Sequence, residues 1–300
     1  MKAAFCSMAA CGLMMAAATP AVAADEPKIQ SYVLDIEAKI LSERRNRGTS
    51  DTFNRPGAEL NFTLAHESGW VGLLTLGSVK KEIFPDSNGW QILAATGYRW
   101  GKPDAWRFGV GLAQEWFPSA KLNGLPSGID WSIPAPTGLA NTKFDTTYGV
   151  FEFGYGALEG RYLYVLSKDL RGNNTATICG SLYLPAVLAG GDPSQAMDCY
   201  GSGMKHSGGT HLLDLDYKHR LDGQSKLLLH LGYQKLRNFS GGDIWDWKIG
   251  VTHQRFGLEF GAEVVGARLR NAAYGVAFDA NRQSHRIDKT ALVLSLAKKF

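Results

Sequence analysis

Residues 210–236, THLLDLDYKHRLDGQSKLLLHLGYQKL, decide the fold. They read as two alternating strands joined at Asp222-Gly223, a dipeptide suited to a tight hairpin turn. Leu213, Leu215, Tyr217, Leu227, Leu229, Leu231 and Tyr233 share one parity, and Asp214, Asp216, Lys218, Lys226, His230 and Gln234 share the other. Successive strand side chains point to opposite faces, so the hairpin has one apolar and one charged face. A soluble sandwich would bury the apolar face against a second sheet, whereas a membrane barrel would turn it to lipid. The hairpin alone does not choose between them.

Outward from it, the same pattern recurs in segments near 31–42, 57–66, 69–78, 89–99, 105–117, 144–155, 160–168, 210–220, 225–236, 244–254, 257–267 and 287–300. About twelve strands of roughly ten residues result, the length that a tilted membrane strand needs. Short turns at 67–69, 101–104, 156–159, 222–224 and 254–256 alternate with long loops at 43–56, 79–88, 118–143, 169–209, 237–243 and 268–286. A Greek-key sandwich has no reason to alternate in this way, but an up-and-down barrel with short periplasmic turns and long extracellular loops does. The expected fold is therefore all-β, an antiparallel up-and-down transmembrane β-barrel.

Parity then sorts the side chains. Outward fall residues such as Leu34, Ile36, Phe62, Trp106, Phe108, Phe151, Tyr162, Trp247 and Phe260. Inward fall Asp35, Glu37, Lys39, Glu59, Arg99, Arg107, Glu115, Glu152, Arg161, Asp246, Lys248, Glu259 and Glu263, joined by Asp214, Asp216, Lys218, Lys226 and His230. An Arg or Lys facing lipid at mid-depth costs about 2–4 kcal/mol, so a consistently apolar parity is selected rather than accidental. Strands 69–78 and 89–99 give the least clear register.

The first residues, MKAAFCSMAACGLMMAAATPAVAA, hold one lysine, an apolar run and small residues at Ala21, Ala23 and Ala24. They predict a secretory signal peptide, residues 1–24, leaving 25–300 as a single barrel domain exported to the periplasm and then the outer membrane. Two rivals are a retained helix and lipidation at Cys11, for which Met8 is a poor match. The mean hydropathy of -0.15 suits no helical span, which needs about 20 apolar residues in succession. Strands hide from such scans, because every second residue faces inward. The 35 glycines, 11 tyrosines and 8 tryptophans suit bends and aromatic girdles. A net charge of +4, with no basic face interleaved with aromatics, speaks against nucleic acid. Of the 4 cysteines, Cys179 and Cys199 lie beyond the signal and are expected to pair in an exported chain.

The last strand, TALVLSLAKKF, sets Leu292, Leu294 and Leu296 in step with Phe300, an ending similar to the C-terminal signal that outer-membrane assembly machinery reads. Lys298 departs from that signal, where an aromatic is commoner.

Four segments resemble the TorF family of porins: Ser42–Val79, with its Arg47-Gly48 pair ahead of the AHESG turn at 65–69; 150–169; the opening hairpin; and 246–267. Loops 118–143 and 169–209 match nothing in that family. The resemblance implies an outer-membrane channel of undefined solute.

The expected function is passive diffusion of small polar or ionic solutes through the lumen. Acids and bases facing each other across a narrow bore set up a transverse field that favours polar solutes. The alternative is a barrel plugged by its own ion pairs. Loop 118–143 would either fold inward as a constriction or stay on the surface. Arg44, Arg45, Arg47, Arg268, Arg270, Arg282 and Arg286 form an expected extracellular basic rim, able to draw in anions or hold lipopolysaccharide phosphates among the outer-membrane lipid. Rival classes are a barrel lipid hydrolase and an adhesive barrel. The hydrolase needs a braced nucleophile, and His66, Glu67 and Ser68 read as turn residues instead. His211, His219, His230 and His253 lack metal-ligand spacing on one face, and no cofactor is expected.

Overall fold

The computed structural model describes residues 31–300, apart from 103, 104 and 282. The signal segment, the rim candidate Arg282 and the end of the 101–104 turn lie outside the described residues.

Twelve antiparallel strands close into a barrel: β1 (Tyr32–Leu41), β2 (Gly57–His66), β3 (Trp70–Ser78), β4 (Trp90–Gly101), β5 (Trp106–Trp116), β6 (Thr146–Tyr155), β7 (Leu158–Val165), β8 (His211–Arg220), β9 (Ser225–Lys235), β10 (Ile244–Arg255), β11 (Leu258–Leu269) and β12 (Ala291–Lys299). Each strand pairs with its sequence neighbours, and β12 closes on β1 with Glu37 opposite Lys299 and Leu41 opposite Ser295. Closure leaves no free sheet edge, so every ladder is satisfied within the chain.

The period of 2 built these strands, and the turns punctuate them. At 221–224 the Asp222 carboxylate accepts the N–H groups of Gln224 at 2.7 Å and Ser225 at 2.6 Å, which holds its carboxyl below the usual range and fixes the hairpin. At 256–257 Phe256 and Gly257 both take positive φ, 54° and 72°, as a two-residue mirror-image turn requires. The register between 69 and 99, ambiguous in the sequence, sets Trp70 opposite Tyr98 and Leu74 opposite Ala94.

The exterior is that of a transmembrane barrel. Leu34, Ile40, Val110, Leu112, Leu231, Ile249, Phe260 and Leu292 are exposed large apolar residues in an unbroken band. Aromatic rings gather at the band's two edges: Trp70, Tyr98, Trp100, Trp106 and Tyr155 at the short-turn end, and Trp90, Trp116, Tyr164 and Trp245 at the long-loop end. Where small residues leave the ladder bare, a cross-strand ring covers it. The Phe153 ring lies over Gly160, where a Cβ would come within 2.0 Å of the ring, and Trp247 lies over Gly266.

The long loops have structure of their own. Residues 121–143 form a hairpin (Lys121–Asp130 with Ala135–Lys143) that packs on short helices at Thr175–Ile178 and Ser194–Gly201. Cys179 and Cys199 form a disulfide that staples those helices together. Leu170 and Ile178 dip onto the inner wall against Tyr148, Val150, Leu212 and Leu236. Phe84, Phe117 and Phe144 form a second loop cluster, with Phe84 and Phe117 stacked at 4.1 Å. The loops thus interlock over the long-loop end, while the described residues at the short-turn end form turns.

Candidate functional site

The inward parity brings acids and bases into ion-pair range down the lumen. Arg99 meets Glu152 at 2.7 Å, Arg161 meets Asp214 at 2.9 Å, Lys218 meets Glu159 at 2.9 Å and Lys248 meets Glu263 at 3.5 Å. Lys226 lies 3.7 Å from Glu259, and Lys299 lies 3.8 Å from Glu37. His230 bridges two carboxylates, with Nδ1 2.9 Å from Asp216 and Nε2 2.9 Å from Asp246. Nearer the short-turn end, Arg107 donates to the Gly156 carbonyl at 2.9 Å and Asp35 is exposed. Of the expected inward set, Lys39, Glu59, Glu115, Arg161, Asp214, His230, Asp246, Lys248 and Glu263 line one cavity of about 330 Å³.

The ceiling of that cavity was not legible in the sequence. Residues 45–50 form a miniature hairpin, Arg45–Asn46 paired with Thr49–Ser50, whose tip is Arg47-Gly48. Both tip residues take positive φ, 51° and 69°. The tip enters the barrel: a Cβ on Gly48 would sit 2.6 Å from the Gly266 carbonyl oxygen and 2.7 Å from the Ala267 Cβ. Only glycine permits both that approach and that backbone. Arg45 holds the turn by donating to Gly48 O at 2.7 Å and Lys289 O at 2.6 Å.

From the tip, Arg47 spans to the wall. Its Nη1 lies 2.6 Å from Asp214 Oδ1 and 3.7 Å from Asp246 Oδ2, and it also donates to the Leu213 carbonyl at 3.3 Å. Asn46 and Arg47 line both the lower cavity and a second one of about 150 Å³ bounded by Leu170, Arg171 and Tyr274. They stand at the boundary between the two.

Behind the hairpin a polar network ties the mouth together. Arg44 donates to Asp51 at 2.9 Å, to Glu59 at 2.9 Å and to Gln91, and Gln91 donates to Glu115. Arg171 meets Asp51 at 3.2 Å and Glu115 at 2.5 Å, and Tyr148 Oη donates to Glu115 at 2.9 Å. Burial works against the charge of Arg171, but Asp51 and Glu115 outweigh it and hold the guanidinium well above its usual range. Its cation also faces the Phe84 and Phe117 rings at 5.7 and 5.2 Å.

The expected basic rim therefore divides. Arg268 and Arg270 stay exposed, and Arg286 pairs with Asp288 at 2.6 Å. Arg44, Arg45 and Arg47 turn inward, with side chains 7%, 5% and 10% accessible, because Asp51, Glu59, Glu43, Asp214 and Asp246 wait there to compensate them. Of the two places open to loop 118–143, the structure shows the outer one: it packs on the helical loop, and residues 45–48 line the cavity in the bore.

His66 Nδ1 lies 2.7 Å from Ser68 Oγ, and the Ser68 N–H donates to the same nitrogen at 3.2 Å, so this contact closes the turn. Among the described residues no cluster of three or more His, Cys, Asp or Glu is arranged to hold a metal ion.

A family model described as "Bacterial protein of unknown function (Gcw_chp)" matches residues 27–300. No curated protein matches the sequence. Among solved structures, the KdgM porin superposes with a TM-score of 0.44 at 7% identity, over 89% of this chain and 99% of the porin. The NanC porin gives 0.42 at 8% identity, over 88% of this chain and 98% of the porin. OprD of Pseudomonas aeruginosa gives 0.35 at 10% identity, over 89% of this chain and 66% of its own.

Proposed function

We propose that this chain, which belongs to the Gcw_chp family of bacterial proteins of unknown function, is a narrow outer-membrane channel for passive diffusion of small polar or ionic solutes. One observation carries the reading: a cavity of about 330 Å³ walled by both signs of charge lies inside a closed barrel whose exterior is apolar. A barrel that only had to stand in lipid would fill its interior with side chains. Opposed charges around retained space stabilise polar solutes and exclude apolar ones.

In this reading the short turns are periplasmic and the long loops extracellular, since barrels of this class place them so. The inward acids and bases are pore-lining, the tip Arg47-Gly48 forms the narrowest point, and the channel works without catalysis. The resemblance of residues 42–79 and 246–267 to the TorF porins supports the assignment, and the tip lies within the first of these segments.

The experiment is conductance of the purified barrel in planar bilayers. Discrete steps in potassium chloride support the channel, and a silent bilayer containing folded, inserted protein rejects it.

A further inference from the structure

On the outer face of the barrel, at the long-loop end, cross-strand pairing builds two rows. The lower row is Tyr162, Leu213, Tyr233, Trp245 and Arg268, each opposite the next. Tyr233 and Trp245 pack with ring centroids 4.4 Å apart. Above it Tyr164 lies opposite His211, and His211 opposite Lys235. Tyrosine and tryptophan at this height mark the level where acyl chains give way to headgroups. Two residues farther along a strand tilted by about 40° is about 5 Å farther out, toward the headgroups.

A cavity of about 570 Å³ opens there, lined by Tyr164, His211, Lys235, Arg237, Asp243 and Arg270 among others. The three permanent cations outnumber its one carboxylate. Asp243 is already engaged, accepting the Leu236 N–H at 2.9 Å and lying 3.7 Å from Arg270. Among the described residues no carboxylate lies within ion-pair range of Lys235 or Arg237. Both are exposed, yet Arg237 is positioned: its Nη1 donates to the Gly208 carbonyl at 3.1 Å and its own N–H donates to Thr210 Oγ1 at 3.1 Å. His211 is fixed by a 2.5 Å contact with Tyr162 Oη and by the Tyr164 ring at 5.3 Å.

Cations held outward at headgroup height, above an aromatic ledge and short of acids, match a phosphate monoester carried on a lipid. Arg and Lys supply charge-assisted hydrogen bonds to phosphate oxygens, and the ledge supplies the contact for the acyl-bearing sugar. We infer that Lys235, Arg237 and Arg270 form a binding site for the phosphorylated headgroup of lipid A in the outer leaflet. The inference rests on the outer-membrane placement proposed above and is separate from conduction, because the site faces away from the lumen.

The test is native mass spectrometry of the full folded barrel in detergent with bisphosphoryl lipid A, its dephosphorylated form and inorganic phosphate as probes. Wild type should retain the bisphosphoryl form at least about tenfold better than the dephosphorylated one, and the variant K235Q/R237Q/R270Q should lose about that preference. Arg255→Gln, a charge loss at the short-turn end, should leave it intact, and heat-modifiable gel migration confirms that each variant is folded. Equal retention of the two lipids by wild type, equal retention of lipid A by the triple variant, or displacement of lipid A by equimolar inorganic phosphate would each overturn the site. Conductance of the same preparations separates the two proposals: steps without lipid preference overturn this one alone, and preference without steps overturns the channel alone.

Discussion

Arg47 and Asp214, 167 positions apart in the chain, meet inside the barrel with Nη1 and Oδ1 at 2.6 Å. The contact anchors a loop tip to the wall of β8 and puts a fixed positive charge where two cavities adjoin. Asp214 keeps Arg161 as a second partner, and Asp246 keeps His230. The acids therefore stay ion-paired when Arg47 is removed, and the tip loses its hold.

Arg47→Ala should widen the bore and shift its selectivity. Loss of one cation beside Asp214 and Asp246 makes the local charge more negative, so potassium is favoured over chloride. In a potassium chloride gradient the reversal potential should move toward the potassium equilibrium value, and single-channel conductance should rise about twofold or more. Unchanged reversal potential and conductance would remove the tip from the permeation path.

Gly48→Val should reach the same open state by a steric route. A branched side chain at φ +69°, 2.6 Å from the Gly266 carbonyl, forces the hairpin out of the lumen, and positive φ is strained for valine by about 1–3 kcal/mol in any case. Expelling the tip also carries Arg47 away from Asp214 and Asp246, so conductance should rise and the reversal potential should move toward potassium as it does for Arg47→Ala. A fall in conductance would place the tip elsewhere than at the narrowest point.

The barrel was legible because its signal is local. Leu213, Asp214, Leu215 and Asp216 announce their faces by alternation alone, and Asp222-Gly223 announces the turn; the twelve expected strands match the observed ones within a few residues at each end. The inner mouth was not legible, since residues 43–56 have no period and their partners are remote. Nothing in ERRNRGTSD distinguishes an arginine that faces water from one that meets Asp214. The only local hint was Arg47-Gly48 between two short polar pairs, a mirror-image turn signal that fits an outward hairpin as well as an inward one. Arg171 and Asp51 carried no hint, because loop residues gain their meaning from the strands they touch.

Asp51→Ala should loosen the mouth without unfolding the barrel. The change leaves Arg44 with Glu59 and Arg171 with Glu115 but removes the carboxylate that joins them. Breaking a buried pair by deleting one partner costs about 3–5 kcal/mol, here spent on loops rather than on ladders. Hydrogen exchange should rise across 43–56 and 169–173 while the strand amides stay protected. Uniform exchange across the barrel would mean that the network supports the whole fold.

Reduction of Cys179–Cys199 should act on the same cap from its other side. The bridge closes a loop with a sequence separation of 20, worth about 3 kcal/mol in chain entropy. Limited proteolysis of the reduced, alkylated protein should cut within 179–203 while heat-modifiable migration of the barrel is unchanged. Equal protease resistance before and after reduction would show that packing of the helices on the 121–143 hairpin holds the cap unaided.

Leu229→Arg tests which side of the wall meets lipid. Leu229 is exposed, centred on β9 between Tyr217 and Ile249, and its neighbour His230 points the other way to Asp216 and Asp246. An arginine on the lipid face at mid-depth costs about 2–4 kcal/mol, whereas the same change on a watery outer face costs almost nothing. Folding into lipid vesicles, followed by urea titration, should show that loss for Leu229→Arg, and a smaller one for Leu221→Arg at the exposed short turn. The difference between the two positions is the informative quantity, because both add the same charge and differ in depth alone. Equal stabilities would mean that the apolar parity of β9 does not face hydrocarbon, and the placement of the barrel in a membrane would fall with it.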